Sequence, residues 1–255
     1  MTINKREYET FWQSQYKRQF KWLNETRNFL YRNLQIGLSR RILEPGCSSA
    51  LITEEISNKI DGTVVGLDRE LNCLLDAKKR EEKLLLVCGD IYHSPFKEHT
   101  FDSVIFQFLF LWLKKPFCAI KEMKRVLTPE GWIVSVGEPD YGGRIDFPEE
   151  IDYSSFIISK LLKEGADPFI GRKMEYIFRK SSLVNIRWDI VSIPFGLNLA
   201  EKNFEEEWKF IEKLSSGKIN KKLKTIKKRE MKCLKEKKRA YFMPVFYTVG
   251  KFINP

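Results

Sequence analysis

The chain has 255 residues, 43% hydrophobic and 31% charged, with only 14 Gly and 10 Pro, which excludes a disordered or fibrous polypeptide and predicts one large domain with an appendage. The formal net charge is +11, yet twelve Lys/Arg against Glu230 and Glu236 between Lys218 and Arg239 supply +10 of it, so the basic character belongs to one segment. No apolar run approaches the roughly 20 residues of a membrane span, and Lys5, Arg6, Glu7 and Glu9 precede no signal-peptide core, so a soluble, cytoplasmic protein is expected.

Residues 4–38 carry Tyr8, Phe11, Trp12, Tyr16, Phe20, Trp22, Leu23, Phe29 and Tyr31 among many charges and no Pro, which predicts helices laid on a sheet as a lid, residues 1–40. From residue 41 short apolar runs (Arg41–Glu44, Thr63–Leu67, Leu84–Cys88, Ser103–Gln107, Trp132–Gly137) alternate with helical patterns (Ser49–Lys59, Glu70–Lys83, Pro116–Leu127). That alternation is the pattern of βαβ units and a parallel sheet. Asp167-Pro168 reads as an N-cap with Pro at the first helical position, opening a helix to about Lys180. A sixth strand is expected at Asn185–Ile193 and an unusually aromatic seventh at Tyr241–Val249. Between them, Phe204, Trp208, Ile211 and Leu214 keep a helical period up to Ser215-Ser216-Gly217, and Ile219, Leu223, Ile226 and Leu234 form a narrow apolar stripe on a basic helix. The division expected is therefore a main domain of 41–196 with 241–255, and an inserted helical hairpin at 197–240. The five cysteines (Cys47, Cys73, Cys88, Cys118, Cys233) form no C-x-x-C pair, and His93 and His99 lie far from all but Cys88, so neither a disulfide framework nor a metal centre is expected.

The first strand runs into Leu43-Glu44-Pro45-Gly46-Cys47-Ser48-Ser49-Ala50, a turn of small residues that lets a ligand approach the backbone and a helix N-terminus. A plain strand-to-helix turn explains this fragment too. The second strand ends at Asp68, where a ribose diol is commonly bound, and the third at Gly89-Asp90-Ile91, an acid for an exocyclic amine with an apolar neighbour for a flat ring. One acid past one strand is common. Glu44, Asp68 and Asp90, each just past a parallel strand, together point to a ligand across the carboxyl ends of the sheet.

Taken in order, Ile42-Leu43-Glu44-Pro45-Gly46-Cys47, Val65-Gly66-Leu67-Asp68, Gly89-Asp90-Ile91, Pro95-Phe96, Phe101-Asp102-Ser103-Val104, Glu122–Leu127 and Pro129-Glu130-Gly131-Trp132 resemble the class I S-adenosylmethionine-dependent methyltransferases of the small-molecule type. Glu138–Asp146, Gly165-Ala166-Asp167-Pro168, Gly171-Arg172 and the closing Pro244–Lys251 resemble a subgroup of them, leaving only 197–240 unmatched. The resemblance implies an α/β, Rossmann-like, doubly wound seven-stranded sheet, mostly parallel with an antiparallel last strand and helices on both faces. It implies S-adenosylmethionine as cofactor, with Glu44 and the Gly46–Ala50 turn, Gly46, Cys47 and Ser48 among it, at its methionine part, Asp68 at the ribose, Asp90 and Ile91 at the adenine, Arg69 among the binding residues, Gln107 facing it, and Arg27 and Tyr31 closing over it. The chain departs from the family at Ser48 and Ala50, where Gly is usual and a Cβ restricts φ.

A sulfonium methyl is already activated, so such an enzyme works mainly by holding donor and acceptor in line, with a base only where the acceptor carries a proton. Glu138, Asp140 and Tyr141 are the catalytic candidates, with His93 behind them; Trp112 suits an acceptor pocket or a core. A small-molecule acceptor is expected. The alternatives are an RNA or protein methyltransferase docking through 218–239 on nucleic acid, acidic protein or an anionic surface, and a non-catalytic binding protein motivated by Ser48 and Ala50. A nicotinamide dehydrogenase fits worse, because its turn requires G-x-G-x-x-G.

Overall fold

The computed structural model describes residues 5–192, 197–215 and 219–253. The predicted strand end at Ile193, the Ser216-Gly217 stop and the Trp12 side chain lie outside the described residues. Two helices, α1 (Lys5–Trp22) and α2 (Asn24–Asn33), precede an alternating series: β1 (Arg41–Pro45), α3 (Leu51–Ser57), β2 (Thr63–Asp68), α4 (Leu71–Arg80), β3 (Leu85–Cys88), β4 (Phe101–Gln107), α5 (Pro116–Val126) and β5 (Leu127–Pro139). Then come β6 (Ile145–Phe147), α6 (Ser154–Lys163), α7 (Met174–Lys180), β7 (Val184–Ser192), α8 (Leu197–Leu214), α9 (Lys221–Lys235), β8 (Ala240–Phe242) and β9 (Pro244–Lys251).

Seven strands form one sheet in the order β3-β2-β1-β4-β5-β9-β7. β1 to β5 pair in parallel, and β9 inserts antiparallel between β5 and β7. The fold is the doubly wound Rossmann-like sheet expected, with its last strand antiparallel. The central strands are apolar on both sides because helices cover both faces. Leu43, Val104, Phe106 and Ile133 pack with Ile120 and Met123 of α5 on one face, while Ile42, Ile105, Val134 and Val136 pack with Leu23, Leu30 and Ile56 on the other.

Two features depart from the sequence expectation. The helix expected from Pro168 begins only at Met174, because Asp167 caps a turn at the N–H of Phe169 and Gly171 then lies against the backbone oxygens of Glu138 and Pro139, where a Cβ has no room. β6 and β8 form a two-stranded ribbon outside the main sheet, too short to leave a periodic pattern.

α8 and α9 pack through Trp208, Ile211, Leu223, Ile226 and Leu234. The gap in the apolar stripe between Ile226 and Leu234 is filled by buried Glu230, which accepts the Trp208 indole N–H at 2.9 Å and pairs with Arg239 at 2.9 Å. Arg239 also pairs with Asp146, Asp146 with Arg144 at 2.7 Å, Arg144 with Glu207 at 3.1 Å, and Glu207 with Arg18 of α1 at 3.0 Å. Charges this deep persist only when paired, and here they run as one chain from the hairpin to the first helix.

Candidate active site

The carboxyl ends of β1, β2, β3 and β4 open on a cavity of about 1030 Å³, at the upper end of ordinary ligand sites and roomy enough for a cofactor and a second molecule. Glu44, Gly46, Cys47, Ser48, Asp68, Arg69, Asp90, Ile91 and Gln107 all line it. The turn after β1 is left-handed at three places, Gly46 (φ 69°), Ser48 (φ 45°) and Ala50 (φ 54°), so the two residues standing where glycine is usual hold a conformation L-residues adopt at a cost. Gly66 on the neighbouring strand is required for close approach: a Cβ there meets the Cys47 sulfur at 2.8 Å and the Thr53 hydroxyl at 2.9 Å.

The acids divide by environment. Glu44 is buried, its Oε2 accepting the N–H of Thr53 at 2.7 Å and, more closely, the Thr53 hydroxyl, which fixes the start of α3. Burial pushes its carboxyl up to about 8 against those hydrogen bonds. Asp68 accepts the N–H of Ser48 at 2.8 Å and of Glu70 at 2.9 Å; burial raises its carboxyl as well. Asp90 is exposed and accepts the N–H of Tyr92 at 2.9 Å. Burial raises the Cys47 thiol well above its usual value, so it is a packing residue of the wall and not a nucleophile.

α1 roofs the cavity with Tyr16, Gln19 and Phe20, and the far end is bounded by Trp112, Leu113, Lys114, Lys115, Glu164 and Gly165. The roof is tied down. Gln107 donates to the carbonyl of Gln19 at 2.9 Å and accepts from Arg27 at 3.1 Å. Arg27 also donates to the carbonyl of Phe20 at 2.6 Å, pairs with Glu55 at 2.6 Å and lies 3.8 Å from the centre of the Phe20 ring. Arg27 is therefore fully buried, lies outside the cavity lining and anchors the roof, while its Nη2 is left without a hydrogen-bond partner. Tyr31 is also buried outside the lining.

The catalytic candidates are not brought to the cavity. Glu138 is completely buried and accepts three backbone N–H groups, of Leu109 and Phe110 at 2.8 Å and Leu111 at 3.1 Å, with burial holding its carboxyl up at about 8 against them. It fixes the loop that brings Leu109 and Trp112 to the cavity, so it acts by positioning. Asp140 is buried in a bidentate pair with Arg172, 2.8 Å for the longer contact, and caps Gly142 at 3.0 Å. Tyr141 is half-buried, its phenol pushed up to about 12 by burial, unsuited to giving up a proton. His93 and Trp112 do line the cavity. Of the roof residues, Tyr16 and Phe20 belong to the helical lid expected from sequence, while Gln19 was missed, though the three share a helix face by their i, i+3, i+4 spacing.

Residues 43–135 match the family described as the methyltransferase domain. Over this stretch the chain is similar to the class I S-adenosylmethionine-dependent methyltransferases. An uncharacterized methyltransferase of Schizosaccharomyces pombe is 30% identical over 148 residues, 52% of this chain and 53% of that one. A demethylmenaquinone methyltransferase of Geobacillus is 28% identical over 205 residues, 71% and 84% of the two chains, and one of Staphylococcus haemolyticus 31% over 113 residues, 42% and 47%. The chain thus spans about half the length of the S. pombe and S. haemolyticus relatives. Among solved structures, phosphoethanolamine N-methyltransferase 2 of Haemonchus contortus, bound to phosphomonomethylethanolamine and S-adenosylhomocysteine, superposes with TM-score 0.63 at 15% identity over 91% of this chain and 53% of that one. The [4+2]-cyclase SpnF superposes with TM-score 0.54 at 15% identity, over 84% and 76%. At such identities the likeness is one of fold.

The cofactor of these methyltransferases fits the residues present. The Ser48 hydroxyl is buried at the cavity turn without a hydrogen-bond partner, Asp68 keeps acceptor lone pairs beyond its two backbone donors, and Leu67 and Ile91 supply apolar surface for a flat ring.

Proposed function

We propose that the chain transfers a methyl group from S-adenosylmethionine to a small-molecule acceptor. The observation that carries this is the convergence of Glu44, Asp68 and Asp90, the ends of three adjacent parallel strands, on one roofed cavity that extends to Trp112 and Lys115. In this reading Glu44 and the Gly46–Ser48 turn hold the methionine part, Asp68 and Arg69 the ribose, and Asp90 with Ile91 the adenine. The bound cofactor supplies an activated methyl. The protein supplies alignment and dryness: Gln107 and Arg27 hold α1 down, and Glu138 fixes the loop behind Leu109 and Trp112. No general base is assigned to Glu138, Asp140 or Tyr141; of the candidate bases, His93 is the one that lines the cavity.

The relatives named for demethylmenaquinone methylation support a small organic acceptor, and the half-buried indole of Trp112 suits one with an apolar or flat part. The basic helix is a separate surface. Leu223, Ile226 and Leu234 of α9 are buried, so the helix offers charge and no apolar face to a bilayer. Lys221, Lys224, Lys228, Lys232 and Lys235 form an exposed ridge, suited to an acidic macromolecular partner such as a nucleic acid. Among the described residues no helix is long and apolar enough to cross a membrane.

Calorimetric titration with S-adenosylmethionine tests the core of the proposal. Asp68→Ala is expected to weaken binding about 5- to 150-fold, the loss of about 1–3 kcal/mol for hydrogen bonds to a charged group. A wild-type protein that binds no cofactor while folded, or a variant with unchanged affinity, overturns it.

A further inference from the structure

β7 is the outer strand of the seven-stranded sheet, paired on one side with β9. A bulge at Asn185 (φ 50°) bends its start, but from Arg187 to Ser192 it follows β9 in continuous register. Arg187, Trp188, Asp189 and Ile190 are all exposed, Trp188 at 43% and Ile190 at 45%. Such an edge, regular and rich in aromatic and β-branched residues, is a template for another strand.

The order of residues says which strand. Ile186-Arg187-Trp188-Asp189-Ile190 is self-complementary about Trp188. Laid antiparallel on itself with Trp188 opposite Trp188, it sets Arg187 against Asp189 of the second copy, Asp189 against Arg187, and each Ile186 against an Ile190. Against an unrelated strand the two charges interfere; against this one both are matched.

The backbone agrees. The N–H of Ile190 donates to the carboxylate of its own neighbour Asp189 at 2.7 Å, so it points away from β9. By the period of two, Trp188 turns its N–H and C=O the same way. In the self-pair Trp188 then faces Trp188 as a hydrogen-bonded pair, and Arg187 faces Asp189 at the positions between, where opposed side chains come closest. Trp188 already stacks on Phe246, centroids 6.0 Å apart and planes at 28°, so the junction carries a continuous row of aromatic rings on one face. On the other face Arg187 lies 5.7 Å over the Trp132 ring.

We propose that β7 is the interface for a second copy of this chain, joined antiparallel about Trp188 into one continuous sheet with twofold symmetry. None of these residues lines the cavity, so the proposal is independent of the methyl-transfer reading. Sedimentation velocity of the full chain over a concentration series tests it. The wild type is expected to form dimers. R187D and D189R each place like charges opposite one another and are expected to raise the dimer dissociation constant by about tenfold or more. The double exchange R187D/D189R restores opposite charges and the dimer, and an equimolar mixture of the two single variants forms a heterodimer. Circular dichroism and cofactor titration establish that each variant is folded. A wild type that remains monomeric at hundreds of micromolar overturns the proposal, as does a single variant that dimerises unchanged or a folded double variant that does not recover.

Discussion

Glu44 couples cofactor binding to pH in a way that can be measured. Its carboxyl stands at about 8 in the ligand-free protein because it is buried. At pH 7 the carboxyl is therefore mostly protonated, since pH lies below its pKa. A ligand bringing an ammonium and a sulfonium against it favours the carboxylate, so binding at pH 7 is expected to expel that proton. Ionising Glu44 therefore costs more at pH 6 than at pH 7, by the free energy of one pH unit. Affinity should thus rise about tenfold from pH 6 to pH 7 and level off above pH 8. The assay is calorimetry in buffers of different ionisation enthalpy, comparing wild type with Glu44→Gln, because the ligand's own amine titrates at about 7.7–8.0 and only the difference belongs to Glu44. Equal proton release in both proteins, or none in the wild type, refutes the coupling. The same shift has a stability counterpart. Glu44 and Glu138, both raised, keep protons in the folded state that the unfolded chain releases above about 4.5, so ligand-free stability is expected to fall as pH climbs from about 4.5 to 8.

Two further outcomes are expected. Ser48→Gly removes both the cost of a Cβ at a left-handed φ and an unpartnered buried hydroxyl, so it should stabilise the ligand-free protein by about 1 kcal/mol in urea unfolding while weakening cofactor binding about three- to tenfold; a loss of stability contradicts the strain argument. Arg18→Met frees the roof from Glu207 and should speed cofactor dissociation about three- to tenfold in stopped flow, with an unchanged rate showing that the ion pair does not hold α1 closed.

The parallel half of the fold was legible because strands buried on both faces must be apolar throughout, and the acids beyond them stand where chain direction alone puts them on one edge. Glu138 shows the limit. It follows a strand just as Asp68 and Asp90 do, but its three partners are N–H groups nearly 30 residues upstream, and nothing local distinguishes a carboxylate turned inward from one facing a ligand. Arg27 and Glu230 were illegible for a related reason. On a helix of alternating charge each reads as solvated, and only the tertiary arrangement supplies Glu55 and Phe20 for one, Trp208 and Arg239 for the other. Ser48 and Ala50 looked like departures that disable the turn, yet the backbone keeps the left-handed path that glycine would take.

The ion pair between Arg18 and Glu207 spans 189 positions of the sequence. Ribosomes deliver chains from the N-terminus, so α1 emerges before α8 and waits for an anchor made 189 positions later. The parallel strands with their acids can assemble meanwhile from residues 41–139, which leaves a nascent chain whose aromatic helix α1 is held by Gln107 and Arg27 and not yet by Glu207. The last tether forms only once α8 has been synthesised, and that late, long-range step is where slow folding and capture by chaperones would concentrate.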